Sequence, residues 1–313
     1  MEQENEQVNS EKNTSSSFLK EEKVSEKKER YWIRKAKNEA MRKERMRFYP
    51  YVMIFNSFAI YVSINIILLY LHELIGAFFA YQQKIPVKLF YHYFTFEKSI
   101  NILPRNAIIL IFGFPPFLFF LGGLVLLYAH LILERNRIPF RLVFIWAIII
   151  IFNIFFANLV YSFFMYKGLA IATEWFYISR FIFIPLMIIG FIFSIILGKF
   201  LSVPFMKMAP SVKLNVHKKP RGFIFRIAVI PFLLGASFII LSYPKRDLAD
   251  FLIQFCIGLS VLSAWIFAKP HKEMKLVKHI QTNEFSWIIT LIFIFCVLFM
   301  YIAIYNPINL SSK

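Results

Sequence analysis

His72 and Glu73 are the residues best placed to do chemistry in this 313-residue chain. They stand side by side in the apolar run ILLYLHELIGAFFAYQQK. An ionisable group at mid-depth in hydrocarbon costs on the order of 2.5 to 3.5 kcal/mol, so the pair asks for a reason. An imidazole can ligate a metal and a carboxylate can act as a general base. On a helix, His72, Gly76 and Ala80 share one face at spacings of four, which aims the imidazole along a groove of small residues that a second helix can enter. The bland alternative is a wetted pair. His72 lies about 32 Å along a helix that starts at Tyr51, near a membrane exit where Glu73 can answer Lys84 or Lys88. Asn153 and Asn158, in another apolar run, are hydrogen-bonding groups worth about 1 kcal/mol each between helices. Cys256 and Cys296 read as small buried hydrophobes. The chain carries no Walker A loop, dinucleotide fingerprint or serine elbow.

The elements that must position these residues are membrane spans. The chain is 58% hydrophobic, 19% aromatic and only 17% charged, against about 25% charged in average soluble chains. That composition excludes a disordered chain, a disulfide scaffold and a soluble nucleic-acid binder, although the net charge is +18. Seven apolar runs are long enough to cross about 30 Å of hydrocarbon: residues 51–80, 107–132, 142–166, 176–198, 223–243, 251–268 and 286–305. The expected fold is therefore an all-α polytopic membrane protein. Between the first two runs, residues 86–97 are dense in aromatic and β-branched side chains and predict a short β segment at the membrane surface. Read as one extended ribbon, Val87, Leu89, Tyr91, Tyr93 and Thr95 fall on one face and Lys88, Phe90, His92, Phe94 and Phe96 on the other, with neither face cleanly polar.

Charge divides the chain further. Residues 1–26 form an acidic tail of net −4, expected to be disordered, and residues 27–49 a basic stretch of net +7 ending before Pro50. The second stretch reads as a juxtamembrane helix whose Lys27, Lys28, Arg30, Arg34, Lys35, Lys37, Arg42, Lys43, Arg45 and Arg47, with Trp32 as interfacial anchor, lie on an anionic cytoplasmic leaflet or an acidic partner. A solvated tail that only fixes topology is the simpler alternative. The bundle then occupies 50–306 and a short tail 307–313. With the N-terminus cytoplasmic, the inside segments hold 23 Lys and Arg against 8 outside, which places the C-terminus outside. The Phe, Ile and Lys usage suggests a bacterial cytoplasmic (inner) membrane. No nucleic-acid partner is expected, because the basic residues record topology.

The stretch HELIGAFFA resembles the H-E-x-x-H helix of the site-2 protease family of intramembrane zinc metalloproteases, whose members often read H-E-L-G-H-A. In that family a short sheet commonly follows the metal helix. The next run, LPRNAIILIFGFPPFLFFLGGLVLLYAH, is similar to the family's following span, with a kink here at Gly113, Pro115 and Pro116. The likeness covers roughly residues 60–130. It implies His72 as a zinc ligand and Glu73 as general base, with His92 and Glu174 as the remaining candidate donors. Two imidazoles at i and i+4 are needed to hold one zinc on a helix face. Gly76 stands where the second should be. The charge count also places His72 toward the outside, whereas the family holds its metal nearer the cytosol. The expectation is a non-catalytic pseudo-protease, a membrane subunit or scaffold that binds other membrane protein subunits, without a cofactor. Two alternatives stand beside it: a transporter or channel for a neutral or lipid-like substrate, and a metalloprotease with an unconventional zinc site.

Overall fold

In hydrocarbon every backbone N–H and C=O must be paired within the protein, so long apolar runs fold as helices. The computed structural model describes residues 51–96, 103–132, 138–165, 168–208, 220–242, 248–269 and 286–310. The acidic tail at 1–26 and the basic stretch at 27–49 lie outside the described residues. The helices are α1 (Tyr51–Gln82), α2 (Arg105–Ile132), α3 (Ile138–Met165), the short α4 (Leu169–Glu174), α5 (Phe183–Met206), α6 (Pro220–Ser242), α7 (Leu248–Ile266) and α8 (Trp287–Tyr305). Seven of them are long and apolar enough to cross a membrane, which makes this a polytopic helical bundle.

The fourth span departs from the expected 176–198. It begins at Phe183 and runs on through Lys199 to Met206. Hydropathy reads Phe176, Tyr177 and Ile178 as membrane residues, but they form an exposed turn in which Tyr177 has φ 54°. At the other end Lys199 does not stop the helix. Its ammonium lies 5.5 Å from the Phe267 ring centroid, so a long stem carries the charge to a contact at the bundle's rim.

Helix α3 is the axis of the bundle, with 78% of its apolar window buried against 17% for α8. A helix so enclosed can reach several neighbours with one polar side chain. Asn153 does this: Nδ2 donates to Ser260 Oγ on α7 at 2.9 Å, and Oδ1 accepts from Ser194 Oγ on α5 at 2.9 Å. The two outer helices also meet directly, Ser260 Oγ donating to the Ser194 carbonyl at 3.1 Å and Ser263 Oγ to that of Ile195 at 2.5 Å. Ser194, Gly198 and Ser202, four apart on α5, allow this close approach.

Two spans contain a π-helical turn just before proline, and each frees a carbonyl. Pro231 has no N–H to return to the Ile227 carbonyl. Ser57 of α1 supplies the missing donor, its Oγ lying 2.5 Å from that oxygen, and Trp146 Nε1 of α3 in turn donates to Ser57 Oγ at 3.1 Å. Three helices are joined through one proline-made vacancy. Ser57→Ala is expected to destabilise the bundle by about 1–3 kcal/mol, because it strands the Ile227 carbonyl and the indole N–H in apolar surroundings. Chemical unfolding of the full chain in detergent micelles measures this, with Ser57→Thr expected to retain most of the stability.

At the opposite end from Tyr51, β1 (Val87–Leu89) and β2 (Phe94–Phe96) form an antiparallel hairpin in the region expected to be β. It is a hairpin instead of one ribbon, with Phe90 N donating to Tyr93 O across the turn at 2.9 Å. The register pairs Val87 with Phe96 and Leu89 with Phe94, so Lys88 and Thr95 share the exposed face. This reversal explains why a single alternation gave no clean face. A third strand, β3 (Ile308–Leu310), pairs antiparallel with β1 and makes the sheet order β2-β1-β3. The residues after α8 therefore lie at the same end of the bundle as the hairpin, as an odd number of crossings requires.

Candidate functional site

Helix α1 carries His72 and Glu73 three turns from its end, close to this sheet. Adjacent helical residues do not normally face each other, yet His72 Nδ1 lies 2.9 Å from Glu73 Oε1, and the side chains are only 13% and 20% exposed. The other ring nitrogen, Nε2, is 3.4 Å from Asn158 Nδ2 on α3. Both contacts fit one neutral tautomer, with Nδ1–H donating to the carboxylate and Nε2 accepting from the amide. Phe119 of α2 packs against the imidazole, with ring centroids 5.2 Å apart and an interplanar angle of 82°. Glu73 thus answers His72, and not the Lys84 or Lys88 of the wetted alternative.

Asn158 continues the network. Its Oδ1 accepts from Leu169 N at 3.4 Å, and Ser162 Oγ, one turn further along α3, accepts from Ala170 N at 3.3 Å. These are the first amides of α4, which have no partner within their own helix. Gly168 makes the arrangement possible. Its φ of 61° with ψ of −123° suits a residue without a side chain, and a Cβ there would stand 2.5 Å from Asn158 Oδ1. The His72–Glu73 pair is thereby tied through Asn158 to the reentry of the chain at α4.

The groove at Gly76 and Ala80 is occupied from two directions. A Cβ at Gly76 would lie 2.8 Å from the Phe94 ring of β2 and 3.3 Å from the carbonyl oxygen of Ile111 on α2. That carbonyl belongs to the second π-helical turn, Ile109–Gly113. Its i+4 and i+5 residues are Pro115 and Pro116, which offer no N–H, so α2 cannot satisfy it internally. Ala77 and Ala80 are fully buried in the cluster beneath the sheet. The space in front of the second position of the H-E-x-x-H pattern is filled by protein.

His92 lies in the hairpin turn, its ring 4.8 Å from that of Tyr93 and 6.0 Å from that of Tyr91. Glu174 is exposed at the end of α4, where its carbonyl accepts from Tyr177 N at 2.9 Å. Among the described residues, no group of three or more His, Cys, Asp or Glu side chains is placed to hold a metal ion. The candidate donors His72, His92 and Glu174 are therefore not assembled into such a set. The cysteines Cys256 and Cys296 are free and buried.

Several residues of the site escape a reading of the sequence alone. Phe94, Phe119 and Ser162 look like any others of their kind in a chain with 39 Phe. Gly168 did carry a signal, a lone glycine between two apolar helical segments, of the kind that marks a backbone conformation closed to other residues. Comparison with protein-family models, curated proteins and solved structures finds no match to this chain.

Proposed function

We propose that the protein is a non-catalytic integral membrane subunit that binds another membrane protein, built on an arrangement like the first half of a site-2 protease. The observation that carries this reading is the Phe94 ring standing in front of Gly76, where a second metal-binding imidazole would have to sit. The retained His72–Glu73 pair serves packing in this reading: one nitrogen meets Glu73 and the other faces Asn158. The order of α1, hairpin and the proline-containing α2 also follows the order expected from the resemblance. Helix α8 supports a binding role, since it packs on the bundle through rings such as Phe293 and Phe299 and leaves the rest of its apolar surface open to the membrane.

The test is isolation of the full chain from its native membrane after cross-linking, in a detergent that preserves complexes. A second membrane protein is expected in fixed ratio, with the same recovery from a Glu73→Gln variant and no stoichiometric zinc. Recovery of the chain alone would count against the subunit reading. Stoichiometric zinc lost in His72→Ala would move the assignment to a protease. Entry of a neutral solute into reconstituted liposomes, above that of empty vesicles, would move it to transport. The structural support for transport is Asn65, buried near the middle of α1 with neither amide atom in a well-formed hydrogen bond.

A further inference from the structure

We propose that Asn65 holds bound water at the inner end of a blind polar path that enters from the hairpin end of the bundle. Four polar side chains of α1, Ser57, Tyr61, Asn65 and His72, fall within about 80° of one another around the helix. They span about 22 Å of its length, most of the roughly 30 Å of hydrocarbon. Three of the four are met by protein. Ser57 donates to the Ile227 carbonyl and accepts from the Trp146 indole, the Tyr61 hydroxyl donates to Gln254 Oε1 on α7, and His72 faces Glu73 and Asn158. Asn65 is the exception. It is fully buried and its amide lies beside the Tyr61 hydroxyl, yet neither its oxygen nor its nitrogen makes a well-formed hydrogen bond. An amide left so in apolar surroundings is costly, and water is the ordinary remedy where several polar groups converge.

The groups that converge there suit water. Amides and phenols both donate and accept, so Asn65, Tyr61 and Gln254 can hold a molecule that does the same. The way in runs toward the hairpin. Tyr91, at the hairpin turn, is fully buried in the core of the bundle, whereas Val87 and Leu89 of β1 belong to the cluster beneath the sheet. Its phenol thus reaches inward from the hairpin, close enough to the Tyr61 hydroxyl for the two to act on each other electrostatically. On α7, Asp250 lies one turn from Gln254 on the hairpin side and continues the polar line. On α1 the line runs from Asn65 to His72, whose side chain is 13% exposed. Toward the other end the path closes. The rings of Trp146 and Phe232 cover Tyr61, with centroids 4.7 and 5.9 Å away, and the α6 backbone at Gly235 presses against its ring. Ser57, the next polar group, already has both of its partners. The path therefore ends in a pocket and does not cross the bundle, and it stands whether or not the chain binds a second membrane protein.

The experiment uses the full chain in phosphatidylcholine nanodiscs, where a brief X-ray pulse makes hydroxyl radicals from water and mass spectrometry reads oxidation residue by residue. Tyr61 is expected to be oxidised about tenfold faster than Phe152 and Phe205, which are as fully buried but lie outside the path. Asn65→Leu is expected to bring Tyr61 down to the rate of those rings, and Asn65→Ser to keep most of the parent's rate. Tyr91→Ala is expected to raise the rate severalfold by uncovering the path. Osmotic shrinkage of liposomes carrying the protein is expected to match that of empty vesicles, because the path is blind. Oxidation of Tyr61 in the parent no faster than that of Phe152 would overturn the site, and this result depends on no variant. An unchanged rate in a folded Asn65→Leu protein would overturn the part assigned to Asn65. Shrinkage faster than that of empty vesicles would overturn the blind end.

Discussion

Gly198→Ala is expected to pull α5 away from α7 and to lower the stability of the full chain by about 3 kcal/mol or more. The added methyl would overlap the carbonyl oxygen of Ser260 and come within 2.8 Å of Ser263 Cβ. The first obstacle is backbone and cannot rotate away, so the helices themselves must separate. Separation also breaks the bonds that depend on their closeness, those of Ser260 and Ser263 to the α5 carbonyls and the Asn153 clamp. The measurement is unfolding of detergent-solubilised protein followed by helical signal. Gly122→Ala is the control, because a Cβ there meets nothing within 4 Å, and alanine in a helix is expected to add about 0.5–1 kcal/mol. A Gly198→Ala protein that melts like the parent would place α5 and α7 further apart than described here.

Gly168→Ala should fail differently, locally and not globally. A side chain at φ 61°, ψ −123° is strained, by about 1–3 kcal/mol, and its Cβ would sit 2.5 Å from Asn158 Oδ1. Relief requires Asn158 to turn, which breaks its contacts with both Leu169 N and His72 Nε2. Hydrogen exchange at Leu169 and Ala170 is expected to accelerate about 10- to 100-fold while exchange in the middle of α3 stays unchanged. Asn158→Leu should give the same pattern, and the double variant should be no worse than either alone, because both remove one connection. Additive losses would show that Gly168 and Asn158 act on α4 separately.

What the sequence made legible follows from the solvent it was written for. Lipid cannot hydrogen-bond to backbone, so Tyr51–Gln82 and Trp287–Tyr305 could only be helices, and their apolar composition announces them. Hydropathy measures transfer into hydrocarbon and says nothing of backbone angles. It therefore could not separate the turn around Tyr177 from the span that begins at Phe183. The β segment was legible from its residue types, yet its reversal was hidden because no Gly or Asn-Gly pair marks the turn between Leu89 and Phe94. Asn153 and Asn158 could be recognised as polar groups needing partners. Which partners they found depended on pairing between α3, α5 and α7, which no local pattern encodes. The spacing in HELIGAFFA shows that a glycine, and not a second imidazole, stands four residues after His72, but a residue 18 positions further on, Phe94, is what occupies the space at Gly76.

The strand Ile308–Leu310 sets a constraint on how the protein is made. Its neighbour Val87–Leu89 leaves the ribosome more than two hundred residues earlier and, apart from the hairpin, must hold one ladder edge open while six further spans are inserted. The sheet is completed only after the seventh crossing has delivered the chain to the far side of the membrane. Assembly of the sheet thus finishes beside the His72 site, and a nascent chain halted before α8 would carry six spans and an unfinished edge for quality control to recognise.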